Sequence, residues 1–238
     1  MGGEYLGCKI EYREKSADGD SCEIVFKSDV EGIATTYANL FRRSLLQNVP
    51  CMAISGIKCR CSDKYITNFF DVVPNITSSL LSICTKLANA RFNTGGYYKP
   101  FIVKSVVSGN VTISDVVDNM ELVLGDAESI DLTSKDELLA TIVGDGNLEL
   151  TMFFNNGVGY SPKDKNSQDL SKLISSSEMN DWIVMDSQHH SVISVSYKPS
   201  IVLGVQEIVL GVTNSSGQIR EVVRGCRENI IKQLQFEL

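Results

Sequence analysis

The stretch from Glu31 to Leu46 constrains this chain most. Wound at about 100° per residue, it brings Ile33, Tyr37, Leu40, Phe41 and Leu45 to one side, with Ala34, Ala38 and Ser44 as small fillers. A stripe that broad has to be buried, so the helix needs a sheet or a second helix beneath it. The opposite side holds Thr35, Asn39, Arg42, Arg43 and, between the guanidinium groups, Leu46. An apolar residue flanked by two arginines is unusual on a solvated surface. Arginine carries five fixed donors and packs its stem, so a partner protein could grip such a patch. The plain alternative is a surface helix with scattered charges and one exposed leucine. In that case Arg42 closes a salt bridge within the chain.

A matching stripe lies near the other end. Ile219, Val222, Val223, Cys226, Ile230 and Leu234 recur at helical spacing, with Glu221, Arg224, Arg227, Glu228 and Lys232 outside. Pro50 ends the first helix, because it has no amide donor and restricts its neighbour. Between the helices the chain is rich in strands. Runs at Cys22–Phe26, Ala53–Cys61, Phe101–Val107, Leu148–Phe154, Val192–Tyr197 and Glu207–Val212 read as extended. A short helix is predicted from Thr77 to Leu87, capped by Asn75 or Thr77. Gly144-Asp145-Gly146 reads as a hairpin turn between Thr141–Val143 and Leu148–Leu150. Asn214-Ser215-Ser216-Gly217 reads as a turn into the last helix. The polar stretch from Ser161 to Asp181 reads as a long loop. The predicted fold is therefore α+β, with two long helices on an antiparallel sheet. Both chain ends build one domain, residues 1–50 with 187–238. Residues 51–186 form an inserted β-rich domain.

Composition narrows the function. The 238 residues are 43% hydrophobic and 21% charged, enough for a real core. A net charge of -7 argues against a surface built to hold phosphates. Little or no direct DNA contact is expected. No apolar run could span a bilayer, and no membrane partner is expected. Met1–Leu6 has neither the charged lead of a signal peptide nor a transit-peptide composition. Seven scattered cysteines fit buried, reduced thiols rather than a disulfide framework. Cys59 and Cys61 share a strand face, but no second pair stands at metal spacing, so no metal site is expected. His189 and His190 are adjacent and point to opposite faces of a strand, which disfavours a shared ligand set or a dyad. They read as loop or strand-edge residues. There is no phosphate-binding glycine loop and no nucleophile elbow. The sequence thus predicts no catalytic residues and no cofactor.

Four stretches, in order, resemble the N-terminal part of the alpha subunit of bacterial or plastid-type DNA-directed RNA polymerase. The first is Gly32–Leu46 running on to Pro50, with its Thr-Thr pair, Asn39, Arg42-Arg43 and Leu45-Leu46. The second is Val111–Val116. The third joins Leu139–Ile142 and Asp145–Thr151 to Gly157-Val158-Gly159-Tyr160-Ser161-Pro162 and Asn166. The last is Ile183–Asp186, Val192–Tyr197 and the terminal turn and helix. Each motif is weak alone; their order and spacing carry the match over nearly the whole chain.

The resemblance implies a non-catalytic scaffold inside a nucleotidyl-transferring machine. Two alpha-type copies, identical or close paralogues, would dimerise and receive the two large catalytic subunits. It implies a large-subunit interface at Asn39, Arg42, Arg43, Leu46, Gly157, Gly159, Tyr160 and Pro162. It implies a dimer interface at Tyr37, Phe41, Leu45, Val223, Ile230 and Leu234. For the glycine-rich segment the plain alternative is a strand-end turn. The sequence departs from the family at Ala38 and Cys51, where glycine is usual. It ends at Leu238, which predicts that the usual linker and promoter-contacting C-terminal domain are missing. These departures point to the plastid (chloroplast) stroma, or otherwise to a bacterial cytoplasm or nucleoid. The alternatives are the equivalent archaeal or eukaryotic subunit, towards which Asn48–Ile54 leans, and a stand-alone small-molecule enzyme using His189 or His190.

Overall fold

The computed structural model describes residues 2–5, 7–15, 21–47, 49–61, 64–73, 75–94, 99–127, 130–134, 136–214 and 219–236. Only the backbone is described for 2–5, 221, 229 and 231–236. The fold is α+β and mostly strand. Its contacts divide it into two units, Met1–Pro50 with His190–Leu238, and Cys51–His189.

The chain opens with strands β1 (Gly2–Tyr5), β2 (Cys8–Glu14) and β3 (Ser21–Ser28) and helix α1 (Ile33–Gln47). The inserted unit begins with β4 (Cys51–Cys61), β5 (Lys64–Ile66), α2 (Leu80–Asn89), β6 (Phe92–Asn93), β7 (Phe101–Val107) and β8 (Asn110–Thr112). It continues with α3 (Ile113–Asp118), β9 (Met120–Leu124), β10 (Asp131–Leu132), β11 (Leu138–Thr141), β12 (Leu148–Gly157) and β13 (Gly159–Ser161). It closes with α4 (Lys163–Leu170), a 3-10 turn (Glu178–Asp181), β14 (Ile183–Val184) and β15 (Ser187–His189). The chain then returns through β16 (Val192–Val202), β17 (Val205–Asn214) and α5 (Ile219–Phe236).

In the first unit the two chain ends share one antiparallel sheet, ordered β1-β2-β3-β17-β16. The β3–β17 pairing sets Ile24 beside Leu210 and Cys22 beside Val212. Alternation turns Cys22, Ile24, Phe26, Ile208, Leu210 and Val212 to one face, where all are buried. Helices α1 and α5 supply the rest of that core. Phe41 meets Phe26 edge-on at 5.2 Å between ring centroids, and the Cys226 thiol reaches the Phe41 carbonyl at 3.8 Å. The expected strands at 192–197 and 207–212 run on into one long hairpin. It turns at Leu203-Gly204, both with positive φ, 51° and 82°, which is the backbone a tight two-residue hairpin turn requires.

The inserted unit is built on a sheet ordered β14-β4-β12-β7-β9, with β5 also pairing β4. β4 is buried on both faces, because one face meets the main core and the other a small cluster of Ile102, Phe153, Leu170 and Val184. Ser187–His189 belong to this unit, since β15 pairs with β13.

Three local expectations are corrected. Helix α2 starts later than predicted, at Leu80, with the Ser79 hydroxyl accepting from the Ser82 amide at 3.2 Å. Neither Asn75 nor Thr77 caps it: Asn75 is left-handed, with φ 59°, and the Thr77 amide is spent on the Thr141 carbonyl. The Gly144–Gly146 connection is not a hairpin between adjacent strands. β11 pairs with β8, and β12 pairs with β4 and β7. The Ile142 and Val143 amides go to the carbonyls of Gly109 and Asn75. The stretch from Ser161 to Asp181 is ordered rather than a long loop: it holds α4, anchored by buried Asn166 and Leu170, and the 3-10 turn. The turn at Asn214–Gly217 lies outside the described residues beyond Asn214.

Candidate protein-interaction site

Each unit presents a surface that sequence motifs single out. On α1, Ala34, Ala38, Phe41, Ser44 and Leu45 face the core. Asn39, Arg42 and Arg43 stand on the exposed side. Among the described residues neither guanidinium has an ion-pair or hydrogen-bond partner, so the intramolecular salt bridge weighed for Arg42 is not formed. Two unpaired guanidinium groups beside a side-chain amide form a donor-rich strip able to take carboxylates or carbonyls in fork geometry.

Leu46 is a correction. It is half-buried and packs against the unit's own core, as Tyr37 and Leu40 also do. The core wraps further around the helix than the simple wheel implied, with α5 as well as the sheet packed on α1. The patch is therefore Asn39, Arg42 and Arg43, with Leu46 at its inner margin.

The residues expected to join two copies lie deeper than a free surface would require. Phe41, Leu45, Val223 and Ile230 are covered by the chain's own side chains, and Tyr37 is half-buried. Their apolar surface is already used in seating α1 and α5 on the sheet. The side chain of Leu234 lies outside the described residues.

In the inserted unit, Gly157 ends β12 and Gly159 starts β13 with φ 63°. Tyr160 is 62% exposed, and a hydrogen bond to the Asp186 carboxylate raises its phenol pKa. Pro162 is exposed and occupies the N-cap position of α4. The Lys163 amide donates to Asp186 at 2.7 Å.

Beneath this turn lies a polar node that the sequence reading largely passed over. Asn166 is fully buried. Its carbonyl oxygen accepts from the Ser161 hydroxyl at 2.8 Å, and its amide donates to the Met185 carbonyl at 2.8 Å and to the Ser187 hydroxyl at 3.0 Å. Ser187 in turn lies 2.9 Å from His189 Nε2, while His189 Nδ1 lies 2.9 Å from the Cys51 carbonyl. Ser187 thus ties α4, β15 and, through Ser55 at 3.0 Å, β4 together. His189 was expected in a loop or at a strand edge, but it is 1% exposed with both ring nitrogens engaged. That removes it as an accessible base for a small-molecule reaction. The signal in the sequence was the polar triplet Ser161, Asn166 and Ser187, which no periodicity links.

The cysteines are inert. All seven are free and buried, and burial pushes the thiols of Cys51, Cys59 and Cys84 up to about 12. Such groups stay protonated and are poor ligands and nucleophiles. Among the described residues no cluster of three or more His, Cys, Asp or Glu side chains is placed to hold a metal ion. No described helix is long and apolar enough to cross a membrane.

Each unit thus carries an exposed polar face, the helix side at Asn39, Arg42 and Arg43 in one and the turn around Tyr160 and Pro162 in the other. Among curated proteins, the chain is similar to the "DNA-directed RNA polymerase subunit alpha" of Borreliella burgdorferi, 25% identical over 194 residues. That match takes in 79% of this chain and 53% of the relative. It is also similar to the subunit of the same name from Desulforamulus reducens, 26% identical over 161 residues, covering 67% of this chain and 47% of that one. The chain resembles an alpha-type subunit over most of its length, and it spans about half the length of the curated relatives it matches. The relatives named here are bacterial and lend no support to a plastid setting. No protein-family model matches the chain.

Proposed function

We propose that this chain is an assembly subunit of a multisubunit DNA-directed RNA polymerase and performs no chemistry itself. The observation that carries the proposal is the ordered set of alpha-type motifs spread through both units, supported by similarity to the bacterial alpha subunits over 79% of the chain. In this reading two alpha-type copies associate along α1 and α5. Phe41, Leu45, Val223 and Ile230 hold the crossing of those helices, and Tyr37 borders the contact. Each copy then receives one large catalytic subunit. Asn39, Arg42 and Arg43 supply fixed donors to that partner, with Leu46 at their margin. Gly157, Gly159, Tyr160 and Pro162 present a second, rigid contact. Direct DNA contact is minor, in keeping with the net charge of -7. The compartment is a bacterial-type cytoplasm or nucleoid.

The test is purification of the chain alone and with the large polymerase subunits of the same source. The expected result is a dimer without turnover that captures two large chains. Arg43→Ala should keep the dimer and the fold and lose that capture. A monomer that captures no large subunit overturns the proposal.

A further inference from the structure

β9 closes one side of the six-stranded sheet and, among the described residues, pairs only with β7. Edge strands in soluble proteins are normally protected by charge, proline or a covering element. This one carries Leu122, Val123 and Leu124, which are 48%, 56% and 41% exposed, so apolar side chains emerge on both faces. The guards are slight: Glu121 and a register shift at Val123. Among the described residues, no hydrogen bond reaches the outer edge of β9. The strand therefore offers unpaired amides and carbonyls framed by apolar side chains, the chemistry that an added strand satisfies.

The charge along the segment that carries β9 selects the occupant. From Ile113 to Leu132 the chain contains no lysine or arginine, while Asp115, Asp118, Glu121, Asp126, Glu128 and Asp131 fall within it. The cation of β7, Lys104, is already paired with Glu149 at 2.9 Å. A second copy placed edge to edge would bring two such acidic segments together, which like-charge repulsion opposes. An extended segment with apolar residues at its centre and lysine or arginine around them meets both the backbone and the field. We propose that β9 is a strand-addition site for a basic, apolar-centred extended segment of a partner protein. The site stands on β9 alone and does not require the polymerase reading.

The probe is a fluorescein-labelled peptide of alternating lysine and valine, titrated with the full chain and followed by anisotropy and by amide hydrogen exchange. The expected result is binding that weakens with added salt and protects amides in 120–124. Replacing Leu122 and Val123 together by lysine should weaken binding about tenfold or more. A peptide of alternating glutamate and valine should not bind. If the double variant loses cooperative unfolding, the single Val123→Lys variant replaces it, at the most exposed of the three positions. Absence of binding, or binding without protection at 120–124, overturns the proposal. So does self-association of the chain that Val123→Lys abolishes, which would assign the edge to a second copy. Loss of large-subunit capture by Arg43→Ala is read separately and leaves this result untouched.

Discussion

The imidazole of His189 fills the space that a side chain on Gly157 would need. A Cβ at Gly157 would lie 2.5 Å from His189 Cδ2, closer than any real contact. The ring cannot yield, because its two nitrogens are held by Ser187 and the Cys51 carbonyl. Gly157 is thus glycine for reasons of packing, whatever binds its exposed neighbours. Gly157→Ala should destabilise the protein by about 1–3 kcal/mol, read as a lower urea midpoint. An unchanged midpoint would mean that β12 and β15 can part without cost.

Arg43 and Leu46 are close on α1 but answer to different forces. Among the described residues Arg43 has no hydrogen-bond or ion-pair partner, so Arg43→Ala should leave stability within about 0.5 kcal/mol. Leu46 packs on the core edge, and Leu46→Ala should cost about 1–2 kcal/mol for the apolar area uncovered. Paired thermal melts of the two variants check this. A destabilised Arg43 variant would make that residue structural and remove it from the proposed interface.

The buried thiols give a pH dependence with a definite sign. Burial pushes Cys51, Cys59 and Cys84 up to about 12, and Cys22 and Cys226 up to about 11, from an ordinary value of 9.0. The unfolded chain therefore loses these protons first. Stability is intact below pH 9.0 and declines as pH rises towards the folded values. The decline is about 1.4 kcal/mol per pH unit for each thiol that is ionised only in the unfolded chain. Urea midpoints at pH 8 and pH 10 should differ accordingly, and a thiol reagent at neutral pH should react only as fast as the chain opens. Equal midpoints, or a rapid burst of thiol reaction, would count against this burial.

Leu203 sits in left-handed backbone, φ 51°, and is 99% exposed. It gains nothing from burial and carries the strain of a Cβ in that region. Leu203→Asn, which tolerates this conformation, should raise stability by about 1 kcal/mol. A higher melting temperature with unchanged circular dichroism is the expected reading; a fall would show that the leucine is held by contacts of its own.

Much of this fold was legible in the chain. The apolar stripes of α1 and α5, and the alternation in β17, state which sides are buried, because helical and strand periods leave little choice. The exposed trio Asn39, Arg42 and Arg43 followed from the same wheel. Leu46 did not: its wheel position is outward, yet it is half-buried against the unit's core. Asn166 was equally hidden. Read locally, a polar residue in a polar stretch belongs to a loop. In the folded chain it is the buried member that satisfies Ser161, Met185 and Ser187, residues as far as 21 positions away.

The sequence by itself determined the α+β class, the two amphipathic helices and the exposed arginines, since each depends on neighbours within a few turns or along one strand. The tertiary structure alone decided which long-range partners meet: β11 with β8, His189 against Gly157, and the polar node under the 157–162 turn. Such pairings are chosen by the packing of whole elements, where an unsatisfied buried polar group costs more than any local preference can offset.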